Sequence, residues 1–482
     1  SNQFKSLFIY SLIIFSAFLV MSSMIFSWRG KSLTKKNIKR GAKLIKSRVF
    51  KSEVLKILKQ KKIPSEDFSG GLSFSEDKNI KIPSSFLTRH TSIIGQTGTG
   101  KSTVVRHFID YIRKNNQKAI VVDINGELSA LFKEKEDKVL SLFDDRSSSW
   151  DFSCETDISS SAFASFLCPE QGQANAFWWK GARSLVESLL DKEKDPQKLY
   201  DLIQDKERIK ECLSGYSRAI IGENSDSQAE GLIASAILDL GFLKYLGKQG
   251  GEPLSLSKWV NDGKANIIWL TVEDHNMTTV KPLLSLWVNI IILTLLRRDP
   301  DKNNMPLNLI IDELASFSKF ELLTKGLERL RKYNGRILLS YQSDSQIEDL
   351  YGKLSAVSIR SNTGNKIIFR STDPTDSSYL SKFLGSGEID QILTSQSIGI
   401  KSTSDRENFS ENEKYKAAVL ESEIQSLKDF HFYFKTMSVD PVFGKIRNFK
   451  VEHKDTENHF ISLDNHDKDL ESKEKYHPEL EF

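Results

Sequence analysis

The chain has 482 residues, of which 39% are apolar and 27% are charged, and its formal net charge is +4 at pH 7. The length exceeds what one ordinary hydrophobic core supports, and the composition is that of a folded globular protein with one added apolar segment. So small a net charge excludes no class of partner, and the distribution of charge along the chain is more informative. Cys154, Cys168 and Cys212 share no CxxC spacing, which argues against a disulfide framework and against a cysteine metal site.

The first predicted element is a membrane-spanning helix over residues 7–28. This stretch, LFIYSLIIFSAFLVMSSMIFSW, has 22 residues and no charge, and a spanning helix needs about 20 such residues. A cleaved signal peptide is the alternative. The apolar run is longer than a signal-peptide core, and no A-x-A cleavage pattern follows it. We therefore expect a retained transmembrane helix.

Basic residues dominate the segment that follows this helix. Residues 29–62 contain fourteen Lys or Arg and one acid, Glu53. Because Lys and Arg accumulate on the cytoplasmic side of a membrane helix, the rest of the chain is expected to be cytoplasmic. The same charges can contact anionic lipid headgroups. We predict a basic cytoplasmic linker over residues 29–75.

Short β-branched runs alternate with helical segments from about residue 80 onward. The runs are TSIIG at 91, KAIVVDI at 118, NIIWLTV at 266, LNLII at 307, RILLSYQ at 336 and NKIIFR at 365. This alternation predicts a mostly parallel sheet covered by helices on both faces. The expected fold class is therefore α/β, with the sheet formed by residues 76–150 and 248–450.

Strand patterns are missing between about residues 157 and 247. AFWWKGARSLVESLL and SQAEGLIASAILDLGFLKYL have helical periodicity instead. The sequence therefore predicts an all-α domain, residues 151–247, inserted in the α/β domain. A second apolar run, residues 283–296, has 14 residues before Arg297 and is too short to span a bilayer, so we predict a buried helix there.

The strongest chemical signal is GQTGTGKS at residues 95–102, which fits the pattern G-x-x-x-x-G-K-[ST]. A strand pattern precedes it and a helix pattern follows it. Glycines let backbone N–H groups approach phosphates closely, and the dipole at a helix N-terminus favours negative charge. We predict that a nucleotide is bound by Gly95, Gln96, Thr97, Gly98, Thr99, Gly100, Lys101, Ser102 and Thr103.

Individual roles follow from the chemistry of ATP hydrolysis. Lys101 is expected to reach the β- and γ-phosphates, and the Ser102 hydroxyl to bind Mg²⁺. LNLIIDELASF places Asp312 and Glu313 at the carboxyl end of a strand, where parallel sheets bind ligands. Asp312 is predicted to hold the magnesium shell, and Glu313 to orient and deprotonate the attacking water. An acid pair that stabilises a helix N-terminus is the alternative, and the upstream glycine-rich loop disfavours it.

Two more polar positions lie near strand patterns downstream. Gln342 ends a strand, where a glutamine can sense the γ-phosphate or position water. Arg331 and Lys332 end a helical pattern, and compensation of the helix dipole would by itself explain this basic pair.

Eight segments occur in the order found in the TraD-type coupling proteins of bacterial conjugation and type IV secretion, which are FtsK/HerA-like motor ATPases. They are GQTGTGKST, VVDINGE, SSSWDF, AFWWKGAR, IDELASF, LERLRKYNGRILLSYQSDSQIEDLYG, NKIIFRS and ESEIQSLKD. The resemblance covers roughly residues 75–450. It implies a RecA-like P-loop NTPase domain with an inserted all-α domain. It also implies ATP and Mg²⁺ as cofactors, and a homo-hexameric ring tethered at the bacterial inner membrane with the bulk of the chain cytoplasmic.

The resemblance also implies roles for single residues. Arg331 matches the arginine finger that reaches the γ-phosphate of a neighbouring subunit, and Gln342 matches the family's motor-coupling glutamine. Asp123 and Glu127 match the acidic motif after the second strand, which implies that they lie near the site.

The partners that the resemblance implies are single-stranded DNA bound without sequence preference, relaxosome or accessory proteins, and proteins of the secretion channel. The family's all-α domain and C-terminal tail receive such proteins. Here residues 451–482 are predicted to be an acidic disordered tail, since residues 455–482 contain nine acids and three lysines. Relatives usually have two N-terminal membrane helices, and one is visible in this sequence.

The implied function is ATP-driven DNA translocation, and three other functions remain open. A chromosome translocase of the FtsK class shares the motor and the membrane anchor, but it carries a longer linker and a DNA-reading end domain. A secretion ATPase that acts on protein alone shares the fold. A non-catalytic docking scaffold is the third, and the intact Lys101, Asp312 and Glu313 argue against it.

Overall fold

The computed structural model describes residues 15–16, 18, 20–24, 38–170, 176–215, 217–218, 226–249, 251–300, 304–396, 407–436 and 438–449 of the chain. Two compact units are present. The smaller comprises the described residues of Ser1–Leu44 and Ser378–Glu421, and the larger those of Ile45–Ser377 and Ser422–Phe482.

The strands, in chain order, are β1 (Ile38–Gly41), β2 (Thr91–Ile94), β3 (Lys118–Ile124), β4 (Lys138–Leu140), β5 (Ile267–Val272), β6 (Leu307–Ile311), β7 (Gly335–Tyr341), β8 (Asn365–Ile368), β9 (Ser386–Gln396), β10 (Glu407–Ala417), β11 (His431–Thr436) and β12 (Val442–Lys445).

The α-helices are α1 (Ser47–Gln60), α2 (Glu66–Ser69), α3 (Ser84–Leu87), α4 (Lys101–Lys114), α5 (Glu127–Phe132), α6 (Ser160–Leu167), α7 (Ala176–Lys192), α8 (Pro196–Ile203), α9 (Lys206–Cys212), α10 (Asp226–Asp239), α11 (Leu256–Asn261), α12 (Met277–Leu296), α13 (Leu323–Arg329), α14 (Asp344–Tyr351), α15 (Lys353–Asn362), α16 (Pro374–Leu384) and α17 (Glu421–Gln425). Short 3-10 helices are Phe152–Cys154, Gly241–Lys244, Asp274–Asn276, Leu314–Ser316 and Leu330–Tyr333.

The larger unit is built on one sheet, which contains nine strands within the described residues, in the order β12-β11-β8-β2-β7-β6-β3-β5-β4. The strands from β8 to β4 run parallel, and β11 and β12 extend one edge antiparallel. The six predicted strands are β2, β3, β5, β6, β7 and β8, and all lie in the parallel part. The predicted α/β class is confirmed, whereas β4, β11 and β12 were not predicted.

The register of the central strands brings their carboxyl ends to one edge of the sheet. Ile94, the last residue of β2, pairs with Tyr341, the last residue of β7. Ile311, the last residue of β6, pairs with Leu339 of β7. The loops that follow β2, β6 and β7 therefore begin side by side.

The segment from residue 45 to residue 75 belongs to the core of the larger unit. α1 buries Phe50, Val54 and Leu58, which share one helix face because they are four residues apart. The Phe50 ring lies 5.5 Å from the Phe434 ring of β11 in an edge-to-face contact. The predicted linker over residues 29–75 is therefore wrong from Ile45 onward, because the count of basic residues hid this apolar face.

Helices fill the region where strand patterns are missing from the sequence. The described residues of 151–247 form α6 to α10 and two 3-10 helices, with no strand among them. They belong to the same compact unit as the sheet. The exact bounds of an inserted domain stay a prediction.

The apolar run at residues 283–296 lies in α12. In the described part of the chain, Asp274–Leu296 is the one helical stretch long and apolar enough to cross a membrane, with a mean hydropathy of 1.8, and 72% of its apolar window is buried inside the structure. The prediction of a buried helix is confirmed.

The smaller unit contains a sheet of β1, β9 and β10, all antiparallel. β9 and β10 form a hairpin in which Ser386 pairs with Ala417. β1, β9 and β10 were not predicted from the sequence.

Both ends of the chain fall largely outside the described residues. Of the predicted membrane helix 7–28, residues 15, 16, 18 and 20–24 are described and are helical, with Phe15 65% and Phe18 64% exposed. The predicted acidic tail 451–482 lies outside the described residues.

We expect Phe50→Ala to lower the free energy of unfolding by about 3–5 kcal/mol, because it removes a fully buried ring from the contact with Phe434. Urea unfolding measures the change. Val49→Ala, at a 42% exposed position of the same helix, is the matched control and should change it by less than about 1 kcal/mol. Equal effects of the two substitutions would contradict the assignment of α1 to the core.

Candidate functional site

The glycine-rich loop leaves β2 and enters α4. At Gly95 (φ 152°) an added Cβ would lie 2.5 Å from the Cβ of Phe369, so no larger residue fits. Gly100, the residue before α4, has φ 113°, which disfavours any side chain. α4 begins without a side-chain cap, so its first N–H groups can bind an anion.

Internal hydrogen bonds hold the loop in shape. The Thr99 hydroxyl donates to the Gln96 carbonyl at 2.7 Å, and the Gln96 N–H donates to the Arg370 carbonyl at 3.0 Å. The Lys101 ammonium donates to the Gly95 carbonyl at 2.7 Å. These hydrogen bonds, which involve Gly95, Gln96 and Thr99, thus keep the loop in its conformation.

The loop faces the two acids predicted to share its ligand. The Ser102 hydroxyl donates to Oδ2 of Asp312 at 3.4 Å. The next residue, Glu313, has the left-handed φ of 77°, which is costly for a residue with a Cβ and persists only where its surroundings impose it. Gln342 Nε2 donates to Glu313 Oε2 at 3.1 Å. The other oxygen, Oε1 of Glu313, is buried and has no hydrogen-bond partner.

These groups line one cavity of about 420 Å³ at the carboxyl edge of the sheet. The residues that line it come from the loop after β2, the first two turns of α4, the end of β3, the start of α5, the residues directly after β6 and β7, and the residue before β11. They are Thr97, Gly98, Gly100, Lys101, Ser102, Thr103, Arg106, Asp123, Ile124, Asn125, Glu127, Leu128, Asp312, Glu313, Gln342 and Phe430.

Burial perturbs the charges around this cavity. It lowers the pKa of Lys101, while Glu313 and Asp312 oppose that shift. Burial raises the pKa of Asp312, against a hydrogen bond from Ser340, and raises the pKa of Glu313, against one from Gln342. An added cation would favour the ionised form of both acids.

Asp123 is the second-last residue of β3 and lies near Asp312. Its carboxylate accepts the N–H of Ser129 at 2.7 Å and that of Leu128 at 3.1 Å, which fixes the start of α5. Burial raises the pKa of Asp123 to about 6, although those N–H groups lower it. Asp123 and Glu127 both line the cavity, as the acidic motif led us to expect.

The oxygen groups of Ser102 and Asp312 fit a magnesium ion. Mg²⁺ prefers oxygen ligands and is usually held by one or two carboxylates together with substrate phosphates and water. Within the described residues, no group of three or more His, Cys, Asp or Glu side chains could hold a metal ion. A site of this kind therefore depends on the nucleotide for its remaining ligands.

Arg331 lies away from this cavity. It is exposed in the 3-10 helix that precedes β7, at the amino end of that strand. The seven residues of β7 span about 20 Å, and the cavity is at the other end. Arg331 therefore does not reach the site of its own chain.

Arg106 and Phe430 are among the cavity residues that were not identified from the sequence. Arg106 lies one helical turn after Ser102 on α4, and this i, i+4 spacing could have indicated it. Phe430 comes from the far end of the chain, and no local pattern marks it.

A known protein family matches most of this chain. Residues 77–444 match the family model described as the type IV secretion-system coupling protein DNA-binding domain. The chain belongs to this family. The resemblance to coupling proteins drawn from the sequence motifs is confirmed.

Two curated proteins are similar in sequence to this family member. It is 24% identical over 454 residues to the coupling protein TraD of Escherichia coli K12, an alignment that covers 90% of this chain and 62% of TraD. The chain thus spans less than two thirds of that relative. It is 25% identical over 123 residues to the protein VirD4 of Agrobacterium fabrum C58, which covers 25% of this chain and 18% of VirD4.

Solved structures of a coupling protein share the fold. The unbound monoclinic form of the bacterial conjugative coupling protein TrwBdeltaN70 has a TM-score of 0.75 and 21% identity, covering 89% of this chain and 97% of that chain. TrwB in complex with ADP and Mg²⁺ has a TM-score of 0.73 and 20% identity, covering 89% of this chain and 98% of that chain. At this identity the likeness establishes the fold alone.

The pKa of Asp123 predicts a pH-dependent stability. The folded value of about 6 lies above the value of about 3.9 for an unfolded aspartate, so ionisation of Asp123 disfavours folding. Protonated Asp123 makes its full contribution to the stability of the fold below about pH 4, and this contribution is lost as the pH rises through 6. Relative to the parent chain, Asp123→Asn should therefore become more stable as the pH rises from 4 to 7. Urea unfolding of both proteins at several pH values tests this. If the difference between their free energies of unfolding did not change with pH, the prediction would be contradicted.

Proposed function

We propose that this chain is a membrane-anchored ATPase that drives DNA transport and couples a DNA–protein substrate to a type IV secretion channel. One observation carries the proposal: Lys101 and Ser102 line the same cavity as Asp312, Glu313 and Gln342. Membership in the coupling protein family supports the link to secretion.

Each residue has a role in ATP hydrolysis at this edge of the sheet. Lys101 and the first N–H groups of α4 bind the β- and γ-phosphates. Ser102 and Asp312 hold Mg²⁺, which neutralises phosphate charge when bound. Glu313 orients the attacking water and takes its proton at Oε1, the oxygen without a partner. Gln342 donates a hydrogen bond to Oε2, the other oxygen of Glu313, and so fixes the orientation of the carboxylate that acts as the base.

The position of Arg331 supports a ring of subunits. Because it is exposed at the opposite edge of the sheet, it can act on a phosphate only in a neighbouring copy. Such an arginine finger stabilises the charge that develops on the γ-phosphate. We propose a homo-hexamer with one ATP site at each subunit boundary.

The remaining parts of the proposal concern DNA and the membrane. Contacts with single-stranded DNA are expected to be independent of sequence and sensitive to salt, because they are made to phosphates. The uncharged segment 7–28 and the basic residues after it favour an anchor in the bacterial inner membrane, with the bulk of the chain in the cytoplasm. Relaxosome proteins and channel proteins are the proposed protein partners.

Family membership and the assembled cavity disfavour two of the alternative functions, and a DNA response of ATP turnover tests the third. Family membership favours a secretion-linked motor over a chromosome translocase of the FtsK class. The assembled cavity argues against a non-catalytic docking scaffold. An ATPase that moves protein alone predicts no response of ATP turnover to DNA.

Two substitutions separate nucleotide binding from hydrolysis. Lys101→Ala should weaken ATP binding and abolish turnover, since it removes the buried cation of the loop. Glu313→Gln should retain ATP binding but lower turnover about 10²–10⁴-fold, because it removes the base and keeps the shape. Calorimetric ATP titration and phosphate release, each with and without single-stranded DNA, measure both effects.

The matched control for these substitutions is Lys114→Ala, at the exposed end of the same helix α4. It should leave both measurements unchanged. Turnover by Lys101→Ala at the parent rate would refute this catalytic centre, and turnover that DNA does not stimulate would favour the protein-only alternative.

Complementation between subunits tests the role of Arg331. Arg331→Ala and Lys101→Ala should each be inactive alone, whereas a mixture should recover activity, because some boundaries pair an intact Lys101 with an intact Arg331. The loss from Arg331→Ala is expected to be about 10³-fold or more. Lys332→Ala, also exposed, is the control. No recovery in mixed rings would contradict a site shared between subunits.

A further inference from the structure

Phe430 is an aromatic side chain in the wall of the cavity, and hydrolysis as described above does not use it. It lies directly before β11, its side chain is 41% exposed, and it is the only aromatic residue among those that line this cavity in the described part of the chain. A large, partly exposed ring beside a phosphate-binding loop is suited to contact the organic part of a ligand.

The backbone of Phe430 is fixed from both sides. Its N–H donates to the carbonyl of Thr99 in the glycine-rich loop at 2.9 Å, and its carbonyl accepts the N–H of Ile446 at 2.8 Å. Its φ of 63° is left-handed, which is uncommon for an aromatic residue. The backbone from which the ring projects is therefore fixed relative to the loop.

Arg370 ties the same segment to the loop a second time. Its guanidinium pairs with Asp429 at 2.7 Å and donates to the Leu427 carbonyl at 3.2 Å. The Arg370 carbonyl accepts the N–H of Gln96 at 3.0 Å. Two independent contacts thus couple the position of Phe430 to the phosphate-binding loop.

The ring lies over the start of α4. Its Cδ1 would be 3.1 Å from a Cβ added to Gly100. In the order of the strands, β11 and β8 lie on one side of β2, and β7 and β6 on the other. Phe430 and the acids Asp312 and Glu313 therefore approach the loop from opposite sides. A triphosphate whose γ end faces Glu313 directs its nucleoside toward Phe430.

Arg106 offers a second contact on that helix. It lines the same cavity from α4, and its Nε is buried without a hydrogen-bond partner. A ligand that enters beside Phe430 can satisfy this donor.

We propose that Phe430 forms the stacking wall of a nucleobase subsite and gives the chain its preference for a nucleoside triphosphate over a bare polyphosphate. This proposal rests on the proposed nucleotide-binding function. A ring face stacks on any base, so the subsite takes a nucleobase through the plane of the base and not through hydrogen bonds to the base edge.

The test compares binding of ATP with binding of inorganic tripolyphosphate, which has the phosphates and lacks the base. Both are titrated with Mg²⁺ by calorimetry into the full chain carrying Glu313→Gln, so that ATP is not turned over. Phe430→Leu should weaken ATP binding at least about fivefold and tripolyphosphate binding less than about twofold. Phe430→Tyr, which keeps the ring, should bind both within about threefold of the parent.

The matched control is Phe443→Leu, which removes a 45% exposed aromatic ring from β12, outside the cavity, and should change neither affinity. Equal losses for ATP and tripolyphosphate in Phe430→Leu would overturn the proposal, since Phe430 would then act through the loop. Unchanged ATP binding in Phe430→Leu, or an equal loss in Phe430→Tyr, would also overturn it. If the parent bound neither compound, the proposed nucleotide site itself would be refuted.

Discussion

The candidate site depends on the register of the parallel sheet. Ile94 pairs with Tyr341, and Leu339 pairs with Ile311, so the ends of β2, β7 and β6 lie side by side. This alignment alone brings Ser102 within 3.4 Å of a carboxylate that is 210 residues away in the chain. A shift of one residue in β6 would turn the acids toward the opposite faces of the sheet.

The carboxyl edge of the sheet contains several energetically unfavourable features, and the packing of the core must offset them. Glu313 adopts a left-handed conformation, and Lys101, Asp123 and Asp312 hold ionisable groups away from water. Strands β2, β5, β6, β7 and β8 are buried along their whole length, which supplies the apolar contacts. A rigid scaffold with a strained edge is the arrangement expected where charge must be positioned for a ligand.

Local patterns predicted the centre of the structure well. The six central strands contain short runs of β-branched and other apolar residues, and the glycine-rich loop and the acid pair follow directly from residues adjacent in sequence. Features that depend on distant residues were missed. The burial of α1 requires Phe434, β11 and β12 join the sheet from the end of the chain, and Phe430 reaches the cavity only through that pairing.

Arg331 shows how the resemblance and the fold complement each other. The resemblance predicted that Arg331 reaches the γ-phosphate of a neighbouring subunit, and the fold agrees with that prediction in one respect, because Arg331 and the cavity of its own chain are at opposite ends of β7. The sequence motif identifies Arg331, and the sheet places it away from the cavity of its own chain.

The most direct test of the central claim is a structure of the chain with ADP and Mn²⁺, in which anomalous scattering locates the metal. We predict one metal ion about 2.1 Å from the Ser102 hydroxyl oxygen, with Asp312 bound to it directly or through one water. The phosphates should lie against the N–H groups of residues 98–102. A metal or nucleotide located elsewhere, with Ser102 and Asp312 making no contact to it, would contradict the account.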